Sequence, residues 1–450
     1  MKLNRDVLYL ISVELQDDKS TIYSCLLVNK TWCEIIIPMI WRNPWKYLKS
    51  GKEKLLLNVM LSHLTLTNKR PLFNYINFCK HLNLNKIQQI IRTTIHEEIE
   101  MKKTENDIFN LFINENTKFT HLYIPQQFDR QIHLIPGAKR CLSEIEFLSC
   151  NTNINDNVLI GLTEICKSIK ELELFIEMNN NNYGIVRLIE IPKKLLNICL
   201  LTDYPQYDES FYKILENSLI KHANTTQYFK TTIQPITKIL SSFVNLKMLE
   251  LNGNFNAWNR LENMSLPHLE ILRAKSVPIR SLISLIENTD GHLIEIKVDG
   301  ISHDEISNKR IIQAIYQNCP NLMYLKILAR NCSISELEKL LINCQHLTGL
   351  FLSSNTTDVF GLDYFFEILA RSSPTSLFKF KFNFRYRPIK LESLKSFFIN
   401  WKGRYPMLLQ FSRVGNIEGY IDLIDKYREE GIIKNFDYNY GHTFEDFVWI

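Results

Sequence analysis

Apolar residues near the start of the chain recur at helical spacing in three short runs. In the first run, Val7, Leu8, Ile11 and Leu15 follow steps of three and four residues, which is typical of an amphipathic helix. Cap-type residues interrupt the pattern at 17–20 and 29–31, and Pro38 predicts a kink or an end in the third helix. Three helices in so short a stretch carry more apolar surface than they bury alone. We therefore expect the surplus to pack against another element or another protein.

The period of the apolar pattern changes along the chain. Helical spacing continues through residues 43–118 and predicts a helical linker, whereas from Phe119 short segments of alternating residues keep returning. Most intervals between them are 23–30 residues, and one of 77 equals three units, which predicts degenerate strands near Ile198 and Tyr228. The first core positions of the alternating segments are Leu122, Ile145, Leu172, Leu249, Leu272, Ile296, Leu325, Leu350 and Phe380.

Alternation followed by helical spacing, repeated at this interval, is the signature of leucine-rich repeats. One repeat cannot bury its own apolar face, so we expect an α/β repeat solenoid with a concave parallel sheet and convex helices. Cys166, Cys319 and Cys344 precede strands, which resembles the cysteine-containing repeat variant, whose buried Cys stays reduced. Zinc at Cys319, Cys332 and Cys344 is the alternative, but their spacing follows the repeat and close Cys/His pairs are missing.

The N-terminal stretch resembles an F-box, the module that ties a substrate receptor to the Skp adaptor of a cullin–RING ubiquitin ligase. Asn4 stands where the family pattern usually has Pro, and Asn29 where it usually has Cys. The matching residues are Leu3, Asp6, Val7, Leu8, Ile11 and Leu15, then Leu27, Val28, Lys30 and Trp32, then Trp41. The resemblance implies that the adaptor-binding residues are Leu3, Val7, Leu8, Ile11, Leu15, Val28, Trp32 and Trp41.

The resemblance and the repeat pattern together predict four regions. These are a three-helix F-box at 1–42, a helical linker at 43–118, a leucine-rich-repeat solenoid at 119–412 and a C-terminal cap at 413–450. The implied function is substrate recognition in a Skp–cullin–F-box ubiquitin ligase, for proteasomal degradation of a protein bound by the repeats. The alternative is a leucine-rich-repeat scaffold that binds protein without a ligase role. No catalytic motif stands out, so we expect a non-enzymatic chain without cofactor or metal.

Charge, apolar runs and cysteine spacing exclude some classes of partner and cellular location. The 53 basic and 48 acidic side chains leave a net charge of +5, too small for this length to indicate nucleic acid. No apolar run is long enough to predict a membrane span. Lys2, Asn4, Arg5 and Asp6 lie where a secretory signal would need an apolar run to begin, so we expect none. The ten Cys are scattered, which predicts reduced thiols in the cytoplasm, the nucleus or both.

Charge is unevenly distributed over the outward strand positions. Early repeats carry Glu144, Glu146, Glu171 and Glu173, whereas later repeats carry mostly Lys and Arg. One hypothesis is that the basic half binds an acidic or phosphorylated segment of the substrate, and the alternative is a solvated sheet of ordinary mixed charge. The candidate substrate-binding residues are Arg273, Lys275, Lys297, Tyr324, Lys326, Phe351, Lys379 and Lys381.

Overall fold

A computed structural model gives the structure of the protein. It describes residues 4–64, 71–204, 206–253, 258, 261, 264–300, 304–354, 361–384, 389–412 and 418–439. The chain divides into two compact units, Met1–Lys221 and His222–Ile450.

The first unit begins with three helices, as the apolar pattern predicts, and α3 continues through Pro38 to its end at Arg42. Its helices are α1 (Arg5–Glu14), α2 (Lys19–Cys25), α3 (Lys30–Arg42), α4 (Pro44–Tyr47), α5 (Glu53–Ser62), α6 (Tyr75–Phe78), α7 (Leu84–Thr94), α8 (Glu98–Phe112), α9 (Ala138–Cys141), α10 (Asp156–Ile165), α11 (Ile185–Glu190) and α12 (Glu209–Leu219). Its strands are β1 (His81–Asn83), β2 (His121–Tyr123), β3 (Phe147–Asn151), β4 (Glu171–Phe175) and β5 (Asn197–Leu201). These strands pair in chain order, each parallel to the next.

The second unit repeats the same strand-and-helix alternation. Its strands also pair in chain order and in parallel. They are β6 (Tyr228–Thr231), β7 (Met248–Asn252), β8 (Ile271–Lys275), β9 (Glu295–Asp299), β10 (Tyr324–Leu328), β11 (Gly349–Ser354), β12 (Lys379–Phe384), β13 (Met407–Ser412) and β14 (Ile433–Asn439). The helices are α13 (Ile239–Ser242), α14 (Ile279–Glu287), α15 (Glu305–Asn318), α16 (Ile334–Asn343), α17 (Leu362–Ser372), α18 (Leu391–Asn400) and α19 (Glu418–Glu429).

The register of the second sheet confirms most of the predicted core positions. Leu249 pairs with Leu272, and Leu272 with Ile296. The same row continues through Leu325 and Leu350 to Phe380. Each of these side chains is buried, because strand side chains alternate and this set faces the helices.

Aromatic residues fill the core between strands and helices near the end of the second unit. The ring of Phe382 on β12 meets that of Phe366 on α17 edge to face, with 5.7 Å between the centroids. Phe380 meets Trp401 in the same way at 5.2 Å. Such pairs add to the free energy gained by burying large apolar surfaces.

One predicted strand is wrong by three residues. The alternating segment at 144–147 is not the strand, because β3 covers Phe147–Asn151 and Leu148 occupies the row of Leu122 and Leu172. Ile145 is also buried, but it lies in the turn before the strand, three residues ahead of the first core position. Leu269 precedes Leu272 at the same distance and is equally buried. These repeats thus have two buried positions three residues apart, and the alternating pattern alone does not show which of the two lies in the strand.

In each unit the sheet also extends beyond the predicted repeat range. Strand β1 lies inside the range predicted as a helical linker, and its His81 pairs with His121 of β2. Strand β14 lies inside the predicted C-terminal cap and pairs in parallel with β13. Strands β5 and β6 confirm the degenerate strands predicted near Ile198 and Tyr228.

The repeat cysteines mark the ends of helices. Cys166, Cys319 and Cys344 are the C-cap residues of α10, α15 and α16, and all three are fully buried. The Sγ atom of Cys344 lies 3.8 Å from the backbone oxygen of Cys319 in the preceding repeat. Burial raises the pKa of each of these thiols to about 12, so they stay protonated at neutral pH.

Candidate functional site

Asparagine side chains set the start of two of the three N-terminal helices. Asn4 is the N-cap of α1 and its Oδ1 accepts a hydrogen bond from the Asp6 amide at 3.3 Å. Asn29 is the N-cap of α3 and accepts from the Trp32 amide at 3.2 Å. Both residues depart from the F-box pattern, yet each satisfies a backbone donor that the first turn leaves free.

The N-terminal helices expose a set of apolar side chains. Val7, Leu10 and Ile11 lie at positions i, i+3 and i+4 of α1, so they share one face of that helix. All three are exposed, and Leu10 keeps 63% of its surface accessible. In the turn between α2 and α3, Leu27 is 88% and Val28 59% exposed. We call these five residues the N-terminal apolar surface.

The other predicted adaptor residues are less accessible. Leu8 is buried, whereas Leu15, Trp32 and Trp41 are half-buried, and Leu3 lies outside the described residues. Leu10 and Leu27 were not among the predicted contacts. Leu10 lies one helical turn after Val7, and Leu27 directly precedes Val28. These positions are the sequence signal that could have identified both residues.

Trp41 forms part of an apolar groove of about 450 Å³ in the first unit. Its ring packs against that of Tyr75 with 4.7 Å between the centroids. Residues from α2 to α5 line the groove, including Tyr23, Pro44 and Leu56. Trp41 therefore contributes both to packing and to an open surface.

The basic candidates of the second unit lie on the outward side of its sheet, where many of them form ion pairs. Arg273 contacts Glu250 at 3.1 Å and Glu295 at 2.7 Å. Lys297 also contacts Glu295, at 3.4 Å, and Lys326 contacts Asp299 at 2.6 Å. These acidic partners offset much of the positive charge, which favours the mixed-charge alternative over an acidic-segment site. Lys275 is exposed.

Three of the candidate lysines pack against aromatic rings. The Nζ atoms of Lys326 and Lys381 lie 4.6 and 4.7 Å from the ring centroid of Phe351, and both Phe351 and Lys381 are buried. Lys379 Nζ lies 5.5 Å from the ring of Tyr324, and burial lowers the pKa of Lys379. Cation–π contacts of this kind stabilise a buried ammonium group. Phe351 and Lys381 are therefore packed within the sheet face rather than presented to solvent.

The predicted acidic candidates divide into two groups. Glu144 and Glu146 precede β3 and form ion pairs with Lys118 and Lys170. Glu171 and Glu173 point outward from β4, where Glu173 accepts a hydrogen bond from Ser149 Oγ at 2.7 Å. The sequence did not separate these groups, because the strand boundary at β3 decides which carboxylates belong to the sheet.

Neither a metal cluster nor a membrane-spanning helix is found in the described part of the chain. There, no group of three or more His, Cys, Asp and Glu side chains is arranged to hold a metal ion. Likewise, no described helix combines the length and the apolar character needed to cross a membrane.

The repeating unit defines the class of protein. Parallel strands in chain order, alternating with helices and sharing in-register rows of buried Leu, Ile and Phe, form a leucine-rich-repeat type of fold suited to protein binding. The chain matches no protein-family model and no curated protein. Among solved structures it is similar to a leucine-rich-repeat protein of Leptospira interrogans, with 12% identity, a TM-score of 0.34, and 80% of this chain and 81% of that chain covered. The strand register, rather than this similarity, defines the fold class.

Proposed function

We propose that the protein is a non-catalytic substrate-recognition subunit of a Skp–cullin–F-box ubiquitin ligase. In this proposal α1 to α3 bind the Skp adaptor, which links the chain to a cullin, and the repeats bind a protein substrate. The N-terminal apolar surface is the observation that carries the proposal, because exposed apolar side chains on one helix face, as with Val7, Leu10 and Ile11, are typical of protein-binding surfaces. Its residues Val7, Ile11 and Val28 are also positions of the F-box pattern.

The proposed role of the chain is to position another protein. Holding a substrate near a ubiquitin carrier raises the effective concentration of its lysines, so the chemistry belongs to other subunits. The ten cysteines are free thiols, and six of them are buried, which supports action in a reducing compartment such as the cytoplasm or the nucleus.

A second candidate function is a leucine-rich-repeat scaffold that binds proteins without a ligase role. Asn4 favours this candidate, because the usual proline fixes the backbone before the first helix and Asn does not. The two candidates differ in one measurable property, which is binding of the Skp adaptor.

The test is co-purification of the full chain with the Skp adaptor, comparing the parent with a Val7→Glu/Ile11→Glu variant. Both side chains are exposed, so the variant keeps its fold, whereas Leu8 is buried and is a poor choice for substitution. Placing carboxylates in an apolar interface weakens binding by about a hundredfold or more.

The matched control is Leu72→Glu/Ile99→Glu, which makes the same change at two exposed apolar residues of the first unit outside α1 to α3. We expect the parent and the control to retain the adaptor and the α1 variant to lose it, with equal circular dichroism for all three. A parent that binds no adaptor would rule out the ligase role and favour the scaffold.

A further inference from the structure

The parallel register of the first unit arranges outward side chains in rows across its sheet. His81 of β1, His121 of β2, Phe147 of β3 and Glu171 of β4 are successive partners in one row. The imidazole rings of His81 and His121 are stacked, with 3.8 Å between centroids and 22° between planes. His121 is stacked in turn on Phe147, at 5.3 Å. The row therefore consists of three aromatic rings followed by the carboxylate of Glu171.

The next row also leads from an aromatic ring to a carboxylate, with a serine between them. Tyr123 lies in register with Ser149, and Ser149 with Glu173. The ring of Tyr123 lies 5.0 Å from that of Phe147, so the two rows are in contact. The six ring and carboxylate residues are half-buried, and together we call them the aromatic–acidic face: His81, His121, Tyr123, Phe147, Glu171 and Glu173.

The two histidines of this face are neutral at physiological pH. Burial lowers the pKa of His81 to about 4, with His121 and Arg42 adding to the effect. Burial also lowers the pKa of His121, and Glu171 and Glu146 oppose that shift only in part. The negative charge of the face therefore comes from Glu171 and Glu173. At the other end of the row, the positive charge of Arg42 helps to keep His81 and His121 neutral.

The carboxylates of the face lack basic partners within the described residues. No Lys or Arg nitrogen there lies within ion-pair distance of Glu171 or Glu173, whereas the neighbouring Glu146 contacts Lys170 at 2.5 Å. Glu177 follows β4, is buried, and accepts hydrogen bonds from the side-chain amides of Gln126 and Asn151 at 2.9 and 2.5 Å. Among the described residues, the face therefore presents carboxylates without basic partners beside aromatic rings.

We propose that the aromatic–acidic face binds an arginine-bearing segment of a partner protein, at the end formed by Phe147, Tyr123, Glu171 and Glu173. A guanidinium group is planar and weakly hydrated, so it stacks on aromatic rings while its N–H groups donate to carboxylates. Phe147 is the last ring of its row and the next strand presents Glu171 beside it, which matches both requirements. The proposal deepens the proposed function, because it names the chemistry of the bound substrate, but it does not depend on adaptor binding.

The test measures fluorescence anisotropy of a labelled Gly-Ser peptide with arginine at every third position, titrated with the full chain. Matched peptides carry citrulline, lysine or glutamate at the same positions, and citrulline keeps the shape of arginine without its charge. We expect the arginine peptide to bind more tightly than the lysine peptide, and the citrulline and glutamate peptides to bind weakly or not at all. Preference for the glutamate peptide would overturn the proposal, as would equal binding of the citrulline peptide.

Two pairs of substitutions locate the binding. Glu171→Gln/Glu173→Gln removes both carboxylates of the face and weakens arginine-peptide binding about tenfold or more. The control Glu144→Gln/Glu146→Gln removes the same charge from carboxylates that already form ion pairs, and leaves the affinity unchanged. Equal losses in both variants would show non-specific attraction to net charge and overturn the assignment.

A third variant tests whether the aromatic ring of Phe147 contributes to the preference for arginine. Phe147→Leu keeps an apolar side chain but removes the π surface, and we expect it to reduce the preference for arginine over lysine. An unchanged preference would remove Phe147 from the site. Co-purification with the Skp adaptor is measured on the same variants, so a failure of the peptide site and a failure of the ligase role give different results.

Discussion

At the scale of single residues, His81 is held by several contacts at the start of the first sheet. Its Nδ1 lies 3.3 Å from the Asn43 amide and 3.4 Å from the Tyr123 hydroxyl, and its backbone oxygen accepts a hydrogen bond from Trp45 Nε1 at 2.7 Å. The Asn43 amide is a donor, so Nδ1 acts as an acceptor, which requires the neutral imidazole. The same contacts connect the α3–α4 junction to the first strand.

These contacts predict that stability decreases in mild acid. The pKa of His81 falls from 6.5 to about 4 on folding, so the unfolded chain binds the proton more readily between these values. The free energy of unfolding therefore falls as pH decreases from about 6.5 towards 4, and His81 contributes no pH dependence above that range. His81→Phe keeps a ring in the stack and removes the titrating group.

The measurement compares urea midpoints of the parent and His81→Phe at pH 7 and pH 5. We expect the variant to lose less stability than the parent on acidification, while His96→Phe, a change at an exposed histidine, behaves like the parent. Equal losses in the parent and in His81→Phe would contradict the assignment of the effect to His81.

At the scale of secondary-structure elements, several Asn and Asp residues act as helix caps. Their side-chain oxygens accept hydrogen bonds from backbone amides in the first turn, which satisfies donors that the helix leaves free. The capping residues of this kind are Asn4, Asp18, Asn29, Asn43, Asn83, Asn155, Asp208 and Asp304.

The cap of α3 provides a direct test. Asn29→Ala removes the acceptor of the Trp32 amide, and we expect it to lower the free energy of unfolding by about 1 kcal/mol. Asn29→Asp keeps an acceptor oxygen and should retain most of that stability. Chemical denaturation followed by circular dichroism measures both, and an Asp variant as unstable as the Ala variant would argue against a capping role.

At the scale of the whole molecule, stability arises from contacts between adjacent repeats. Leu272 is fully buried and lies in register between Leu249 and Ile296. In repeat proteins each unit depends chiefly on its neighbours, so damage to one row is felt most by the strands beside it.

We therefore expect Leu272→Ala to cost about 2–5 kcal/mol, the range for a truncated buried leucine. Hydrogen exchange should show reduced protection in β7, β8 and β9, with β12 and β13 much less affected. Lys275→Ala, an exposed change on the same strand, is the control and should leave protection unchanged. A uniform loss of protection over β7 to β13 would show that the second unit unfolds as one cooperative block instead.

The amino-acid sequence by itself determined the repeat fold, because the row from Leu249 to Phe380 recurs at a regular interval and only stacked repeats bury it. It also located the three N-terminal helices, since helical spacing and capping residues are local signals. It misplaced β3 and missed β1, because Ile145 and Leu148 are both buried and β1 is only three residues long.

Only the tertiary structure decided which charged side chains are partnered. The pairing of Arg273 with Glu250 and Glu295, and the absence of basic partners for Glu171 and Glu173 within the described residues, depend on which strands lie side by side. The stack of His81 on His121 joins residues forty positions apart, and burial in that stack makes both imidazoles neutral. Periodicity identifies the buried positions within a repeat, but the charge and aromatic character of an open sheet face depend on neighbours that only the folded register brings together.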